Sequence, residues 1–471
     1  MRFPAALIAA ALVTALAAVS ADGTTSAYRT PATRGMPTAV YFTESGLSAS
    51  DIDLYMRRVS NAGASYVRLL IIWNSVAPAQ RPPNFDPSDP ADPAYHWGYI
   101  DELVTAAQAH GLEPLVTITF APKWAGGRSV SSAQLGDFAR AAARRYSGSF
   151  QGLPRVRYWL AWNEPNLHRY LAPQYSHHRL VSVSRYRKMV NAMAASVHGV
   201  HHDNVVVAGE LAPLDTPTGP GSMKFTRAAL CVSARLHSTC RTSWHFDVWS
   251  THPYSSGGPT HKAFGRDGVA LGNLPQLRRI VQAARRFDHI SSHRHVQVWS
   301  TEFGWNSRPP CRTGVPMGLE ERWVAESVYR VWSWHVGLYT WYQLVDFPHS
   351  NPFQSGLYFR KHTFAQDKPK PILNAFRFPF VAYKHGSRVY FWGKTPDSRI
   401  HTVHVQRSTS HGWKAVSTLV ANHSGIFFRT IHLPQAKTSW RLRAQLVGAS
   451  QHSPGFSLHF VGDRYYRPFG C

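Results

Sequence analysis

Eight short apolar runs, starting 27 to 50 residues apart, dominate the chain between residues 39 and 345. They begin at residues 39, 66, 113, 156, 204, 246, 296 and 338. Each interval has room for a helix and its loops, and Leu274, Leu277, Ile280 and Val281 show the spacing of a buried helix face. Strands that are apolar throughout are typical of parallel sheets buried on both faces. The pattern therefore predicts an α/β fold, a (β/α)8 TIM barrel, with an open doubly wound sheet as the alternative.

The character of the sequence changes near Ala375. From Val389 onward, short β-branched and aromatic runs alternate with Gly, Pro, Ser and Asn, which predicts a small all-β, sandwich-like domain. Residues 375–471 contain 13 Lys and Arg but only two acidic residues, Asp397 and Asp463. We expect a catalytic barrel over residues 38–378 and a basic C-terminal β domain over residues 379–471.

The N-terminus has the features of a secretory signal peptide. Arg2 precedes an apolar stretch from Ala5 to Ala18, and Val19-Ser20-Ala21 resembles a cleavage site. We expect residues 1–21 to be removed and residues 22–37 to form a flexible leader. No later run of about 18 apolar residues follows, so no transmembrane segment is predicted. The expected location is secreted or extracellular, with association to the cell envelope as an option.

The four cysteines suit an oxidising compartment, and three pairings are open to them. We favour Cys231 with Cys240, which are close in sequence, and this leaves Cys311 to pair with Cys471. No C-x-x-C motif or zinc-like spacing occurs among them, so we expect no metal site.

Glutamates follow several of the apolar runs, at the strand ends where barrel enzymes carry their active sites. Glu164 lies in Trp-Asn-Glu-Pro after the fourth run, and Glu302 in Ser-Thr-Glu-Phe-Gly-Trp after the seventh. Glycoside hydrolysis needs two carboxyl groups, one to protonate the departing oxygen and one to attack or to activate water. The pair predicts this chemistry. For Glu44 and Glu210 loop capping is favoured, with substrate binding as the alternative.

The Asn-Glu-Pro and Glu-Phe-Gly-Trp motifs resemble clan A of the glycoside hydrolases, retaining (β/α)8 enzymes that include families 39 and 5. The resemblance covers roughly residues 38–378. It implies that Glu164 is the acid/base, that Glu302 is the nucleophile and that Asn163 binds the sugar 2-hydroxyl.

Further positions extend this resemblance to substrate-binding residues. Arg68 is similar to the clan's arginine beside the nucleophile, and His252 and Tyr254 resemble its His-x-Tyr element. The resemblance implies that the Tyr254 hydroxyl approaches the nucleophile and that Trp341 is a stacking platform for the sugar. Two more tryptophans are candidates for substrate contact, with core packing as the alternative: Trp73 and Trp124.

Several enzyme classes find no support in the sequence. It contains no G-x-S-x-G, G-x-G-x-x-G, Walker or H-E-x-x-H motif, and we expect no cofactor. The formal net charge of +25 has two explanations: a solvated basic surface is favoured, and attraction to an anionic glycan or cell-envelope polymer as partner is the alternative. No nucleic-acid-binding motif accompanies the charge, so nucleic acid is not an expected partner.

Together these features predict a secreted retaining O-glycoside hydrolase that acts on a polysaccharide or oligosaccharide by double displacement. Two alternatives stay open. One is a catalytically silent carbohydrate-binding envelope protein, and the other is a transglycosylase that uses the same two glutamates.

Overall fold

The computed structural model of the protein describes residues 27–217, 219–348, 351–466 and 471, so the expected signal peptide lies outside the described residues. Eight parallel strands close into a barrel, each paired with the next in chain order and the last with the first. They are β1 Thr38–Tyr41, β2 Tyr66–Ile72, β3 Glu113–Thr119, β4 Tyr158–Ala161, β5 Val205–Leu211, β6 Val248–Thr251, β7 Gln297–Phe303 and β8 Tyr339–Trp341. The predicted TIM barrel is confirmed, and the open sheet is excluded.

Helices cover the outside of the barrel. They are α1 Ala49–Asn61, α2 Trp73–Val76, α3 Gly98–Ala109, α4 Ser132–Arg145, α5 Ser182–Val200, α6 Ser222–Leu230, α7 Leu274–Arg286, α8 Met317–Ser333 and α9 Pro371–Arg377. Ser48 caps α1, since its hydroxyl accepts the Asp51 backbone N–H at 3.2 Å. The apolar stripe predicted on α7 is buried against the barrel.

The loops contain shorter elements. Four 3₁₀ turns lie at Lys123–Ala125, Gly127–Ser129, Leu271–Asn273 and Phe364–Gln366. Two-residue strands pair Tyr175–Ser176 with Arg179–Leu180, Trp244–His245 with Ile290–Ser291, Ser307–Arg308 with Val315–Pro316, and Tyr358–Phe359 with Lys368–Pro369.

The side chains inside the barrel change from apolar to polar along the barrel axis. An apolar layer near the start of the strands includes Ala39, Leu115, Leu160 and Trp299. Buried polar side chains occupy later strand positions, among them Arg68, Thr117, Glu210 and Ser250. Burial of polar groups is costly unless they pair with one another, so we expect these side chains to form hydrogen bonds and ion pairs with their neighbours.

Two antiparallel sheets form the C-terminal β domain. Its strands are β9 Phe380–His385, β10 Arg388–Lys394, β11 Thr402–Thr409, β12 Gly412–Val420, β13 Ile426–His432, β14 Arg441–Leu446 and β15 Phe456–Ser457. One sheet has the order β9-β10-β13, and the other includes β12-β11-β14-β15. Aromatic contacts join the domain to α8, where the rings of Trp332 and Trp392 lie 5.4 Å apart.

The segment expected to be a flexible leader has structure from Tyr28 onward. Tyr28–Arg29 form a strand that pairs in parallel with Leu419 and Val420 of β12. The Arg34 guanidinium donates to the Val336 carbonyl oxygen at 2.9 Å. An open strand edge binds almost any backbone, so a sequence without periodicity gave no signal of this pairing.

Both favoured disulfides, Cys231–Cys240 and Cys311–Cys471, are present. Two disulfides are consistent with an extracellular protein. Within the described ranges, no helix combines the length and the apolar character needed to cross a membrane.

A buried ionic cluster lies beneath the loops that follow β7 and β8. The Lys370 ammonium donates to the Asp346 carboxylate at 2.7 Å and to the Ser307 hydroxyl at 3.0 Å. Glu320 of α8 is fully buried beside it, and burial raises the pKa of Glu320 to about 8 against the opposing effect of Lys370. The folded protein therefore holds this carboxyl group in its neutral form at neutral pH.

We expect Glu320 to make the protein less stable as the pH rises from 4.5 to 8, because the unfolded chain releases this proton first. Glu320→Gln stays neutral, so the melting temperature of this variant, relative to that of the wild type, should rise by about 5 °C over this range. Thermal unfolding at several pH values measures the difference. Glu102→Gln, at an exposed site on α3, is the control, and a pH-independent gap for Glu320→Gln would contradict the prediction.

Candidate active site

A cleft of about 470 Å³ opens near the C-terminal ends of the barrel strands, and both predicted glutamates line it. Glu164 lies just beyond β4, and Glu302 is the sixth residue of β7. A carboxylate oxygen of each and a ring nitrogen of His252 all lie within 4.8 Å of one another. The glutamate side chains keep 16% and 12% of their surface exposed, so a ligand in the cleft can reach both.

Arg68 lies beneath the cleft and is completely buried. Its guanidinium contacts the Glu210 carboxylate at 2.7 Å and the Glu302 carboxylate at 3.0 Å, and it donates to Asn163 Oδ1 at 2.9 Å. Burial opposes its charge, but Glu210 and Glu302 more than offset this effect and raise the pKa of Arg68 above its ordinary value. The face of the guanidinium rests 4.4 Å from the ring centre of Tyr41.

Glu210 is the carboxylate that balances this buried cation. Burial alone favours its neutral form, but Arg68, followed by His252 and Ser250, lowers the pKa of Glu210 to about 2. The Ser250 hydroxyl donates to Glu210 at 2.5 Å. Loop capping, the role favoured from sequence, does not describe this residue, because its side chain is fully buried under the cleft.

His252 lies between the two exposed glutamates. Its Nδ1 is 3.1 Å from Glu164 and 3.6 Å from Glu302, and its Nε2 is 3.4 Å from Glu210. Burial lowers the pKa of His252, but Glu302 and the hydrogen bonds to Glu164 and Glu210 raise it to about 9. The imidazole is therefore cationic at neutral pH.

Tyr254 and Asn163 complete the immediate surroundings. The Tyr254 hydroxyl donates to Glu302 at 2.6 Å. Tyr254 and Asn163 both line the cleft. Glu302 thus receives hydrogen bonds from Tyr254 and Arg68, which stabilise a negative charge on it.

The backbone at the ends of β4 and β5 adopts an unusual conformation. Trp162, Glu164 and Glu210 have φ angles of 73°, 43° and 51°, in the left-handed region that side chains disfavour. Each costs about 1–3 kcal/mol and requires support from its surroundings. The Glu164 N–H supplies part of that support by donating to the Glu210 carbonyl oxygen at 2.8 Å. The backbone strain is therefore located at the residues that position the Glu164 and Glu210 carboxyl groups.

Glu164, His252 and Glu302 also have the donor atoms and the spacing of a metal site. A cation there would lie close to the Arg68 guanidinium, which contacts Glu302 at 3.0 Å, and would have to displace the proton that His252 donates to the glutamates. The existing hydrogen bonds account for the cluster without a further ligand.

The structure corrects three predicted substrate contacts. Trp341 is fully buried among Phe303 and Trp305, and its indole N–H donates to the Ser355 carbonyl at 2.8 Å. Trp73 is also fully buried, stacked on Phe138.

The third tryptophan, Trp124, is half-buried and does not line the cleft. It packs edge-on against Trp73, and its indole N–H donates to the Pro78 carbonyl at 2.8 Å. Two further predicted ligands, Arg68 and His252, are buried beneath the cleft and contact the glutamates rather than open space.

Sequence reasoning missed the aromatic wall of the cleft, whose members are Tyr41, Tyr170, Tyr342, Phe347 and Phe353. Tyr342 follows Trp341 and is half-buried, with its ring 5.3 Å from that of Tyr41. Tyr342 directly follows the last residue of β8, and successive residues of an extended chain point to opposite sides, so only one of Trp341 and Tyr342 faces the cleft. This alternation of side-chain direction was the sequence signal that could have identified Tyr342 as a cleft residue.

Replacing Arg68 by Met should destabilise the protein by about 3–5 kcal/mol, because Glu210 would remain buried without its cation. Urea unfolding measures this loss. The partly exposed pair of Arg155 and Asp203 offers a control, since Arg155→Met should cost about 1 kcal/mol or less. Unchanged stability of Arg68→Met would show that Arg68 is not the counter-ion of Glu210.

Comparison with known proteins bears on the fold. No family model and no curated protein sequence matches this chain. A solved family 39 glycoside hydrolase from Bacteroides cellulosilyticus WH2 is similar at 16% identity and a TM-score of 0.52, over 85% of this chain and 81% of that one. A glucosidase from Croceicoccus marinus is similar at 13% identity and a TM-score of 0.49, over 85% and 93% of the two chains. The similarity to the family 39 structure confirms the (β/α)8 fold that the motif resemblance implied.

Proposed function

We propose that this protein hydrolyses O-glycosidic bonds with retention of configuration, with Glu164 as the acid/base and Glu302 as the nucleophile. The observation that carries the proposal is the close approach of these two partly exposed carboxylates, with oxygens within 4.8 Å, in one cleft. Retaining enzymes hold their carboxyl groups about 5–5.5 Å apart, whereas inverting enzymes need at least about 6.5 Å to admit a water molecule. The spacing therefore favours double displacement.

In the first step, Glu302 attacks the anomeric carbon while Glu164 gives its proton to the departing glycosidic oxygen. A bond forms between Glu302 and the sugar, and the glycosidic bond breaks. In the second step, Glu164, now a carboxylate, takes a proton from water. The water oxygen bonds to the anomeric carbon and Glu302 leaves as a carboxylate.

The neighbouring groups suit these charge changes. Tyr254 and Arg68 favour the carboxylate of Glu302 before attack and again after its release. The cationic His252 contacts Glu164 at 3.1 Å, so it stabilises the carboxylate that remains there once the proton has left. Arg68 and His252 are thus positioning residues in this scheme, because neither is exposed to the sugar.

The cleft walls suit a carbohydrate. Sugars present apolar ring faces and polar edges, and the walls combine aromatic rings with the amides of Asn163 and Asn351. We further propose that the protein is exported, a location that its two disulfides support.

The first test is product release from a panel of neutral and uronic-acid polysaccharides. Glu302→Ala and Glu164→Ala should each lower the turnover number by about 10³-fold or more, because each removes a group that the chemical step requires. The exposed-site variant Glu102→Gln should keep wild-type activity. NMR should detect retained configuration in the first-formed product.

Other outcomes point to the alternatives. An inverted product, or full activity in Glu302→Ala, would contradict the proposed mechanism. Glycan binding without turnover by the wild type would indicate a silent binding protein. Elongated products formed at the expense of hydrolysis would indicate a transglycosylase.

A second test compares alanine variants of Tyr342 and Trp341, which should differ in their effects on KM and on stability. Tyr342→Ala removes a cleft wall, so KM should rise by about three- to tenfold with little change in stability. Trp341→Ala should lower the free energy of unfolding by about 3–5 kcal/mol, because it empties a buried site. Tyr342→Phe is the matched control and should retain most of the affinity. Equal effects of both alanine variants on KM would contradict the assignment of Tyr342 to the cleft.

A further inference from the structure

A second concave surface lies near the N-terminal ends of the barrel strands. Two adjoining depressions of about 630 and 250 Å³ share Val281, Gln282, His295 and Val296. The smaller one reaches Gln297, the first residue of β7, and Gly337, just before β8. We call this surface the α7 groove. It is at the opposite end of the strands from the cleft, so it is separate from the proposed active site.

One face of α7 supplies arginines to the groove. Arg278, Arg279, Arg285 and Arg286 all line it, and they form two pairs seven residues apart. Residues at this spacing share a helix face, and seven residues correspond to a rise of about 10.5 Å. The opposite face of α7 is apolar and buried. The helix thus presents a row of positive charge whose ends are about 10 Å apart.

The groove has a strong excess of positive charge. Arg294 and Arg34 add to the α7 arginines, and no Asp or Glu of the described residues lines either depression. The like charges interact, since burial followed by repulsion from Arg278 lowers the pKa of Arg34 to about 10. Cations placed together without carboxylates destabilise the fold, so the arrangement favours an external anion.

Local structural roles account for only part of this charge. Arg285 and Arg286 lie in the last turn of α7, where cations favour the helix dipole. Arg294 donates to the Asp203 carbonyl oxygen at 2.6 Å. Arg278 and Arg279 lie in mid-helix, and in the described part of the chain neither forms a hydrogen bond or an ion pair. Their donors are available to a ligand.

We propose that the α7 groove binds a linear anionic polysaccharide through several carboxylate or sulfate groups at once. Guanidinium groups match both kinds of oxyanion with two parallel hydrogen bonds, and a 10 Å row requires more than one anionic group on the ligand. The choice of a sugar polymer rests on the proposed function. No Phe, Tyr or Trp among the described residues lines the groove, and single-stranded nucleic acids rely on aromatic rings for stacking.

Binding of the full chain to polygalacturonate, heparin, neutral dextran and a DNA duplex, at low and high salt, tests the proposal. The test variant replaces Arg278, Arg279, Arg285 and Arg286 by Gln. Its affinity for the two anionic polysaccharides should fall by about tenfold or more, and its salt dependence should weaken. A second variant with Lys at the same four positions should bind at an intermediate level, which excludes misfolding as the cause.

A control variant removes the same charge from the exposed surface of the β domain, with Gln in place of Arg388, Arg399, Lys414 and Lys437. It should bind within about twofold of the wild type. Equal loss in both variants would overturn the proposal, because net charge would then explain binding. Tighter binding to DNA, or no binding to either polysaccharide, would also overturn it.

The assay keeps the two proposals distinguishable. It measures affinity, so an inactive cleft would leave its result unchanged. Conversely, the four-Gln variant should cleave short neutral substrates as the wild type does, because the α7 groove lies away from the cleft.

Discussion

A single desolvated cation organises the end of this barrel at which the cleft opens. Arg68 is fully buried, and such a charge is tolerated only where carboxylates and hydrogen-bond acceptors surround it. Glu210, Glu302 and Asn163 provide that environment from three other strands or their ends. The positions of Glu210 and Glu302 therefore follow from the need to neutralise Arg68, and the strained backbone at Glu210 is a cost of meeting it.

The different environments of the three glutamates also follow from how deeply each carboxylate is buried. Glu210 neutralises charge beneath the surface, which leaves Glu164 and Glu302 partly exposed and free to change their bonding partners. His252 contacts all three, so its imidazole links the buried carboxylate to the two that line the cleft.

The sequence was sufficient for the barrel, because eight apolar runs and the helical stripes between them report burial directly. The motifs at the ends of the fourth and seventh apolar runs were sufficient to identify Glu164 and Glu302 as candidate site residues. The direction of a side chain was harder to predict from the sequence. Trp341 and Tyr342 are adjacent aromatic residues that differ only in the side of the chain on which they lie. Glu210 was misjudged because its partner, Arg68, is distant in sequence. The strand at Tyr28–Arg29 was missed because backbone pairing at an open edge leaves no side-chain pattern.

The link between Cys311 and Cys471 has a consequence for biogenesis. It closes a loop of 160 residues that contains α8, β8 and the whole β domain. Synthesis proceeds from the N-terminus, so the Cys311 thiol waits for 160 further residues before its partner exists. During that interval it is available to Cys231 and Cys240, which emerge earlier and are only nine residues apart. Because a loop of nine residues costs less entropy to close than a loop of 160, pairing of Cys231 with Cys240 is favoured over capture of either by Cys311.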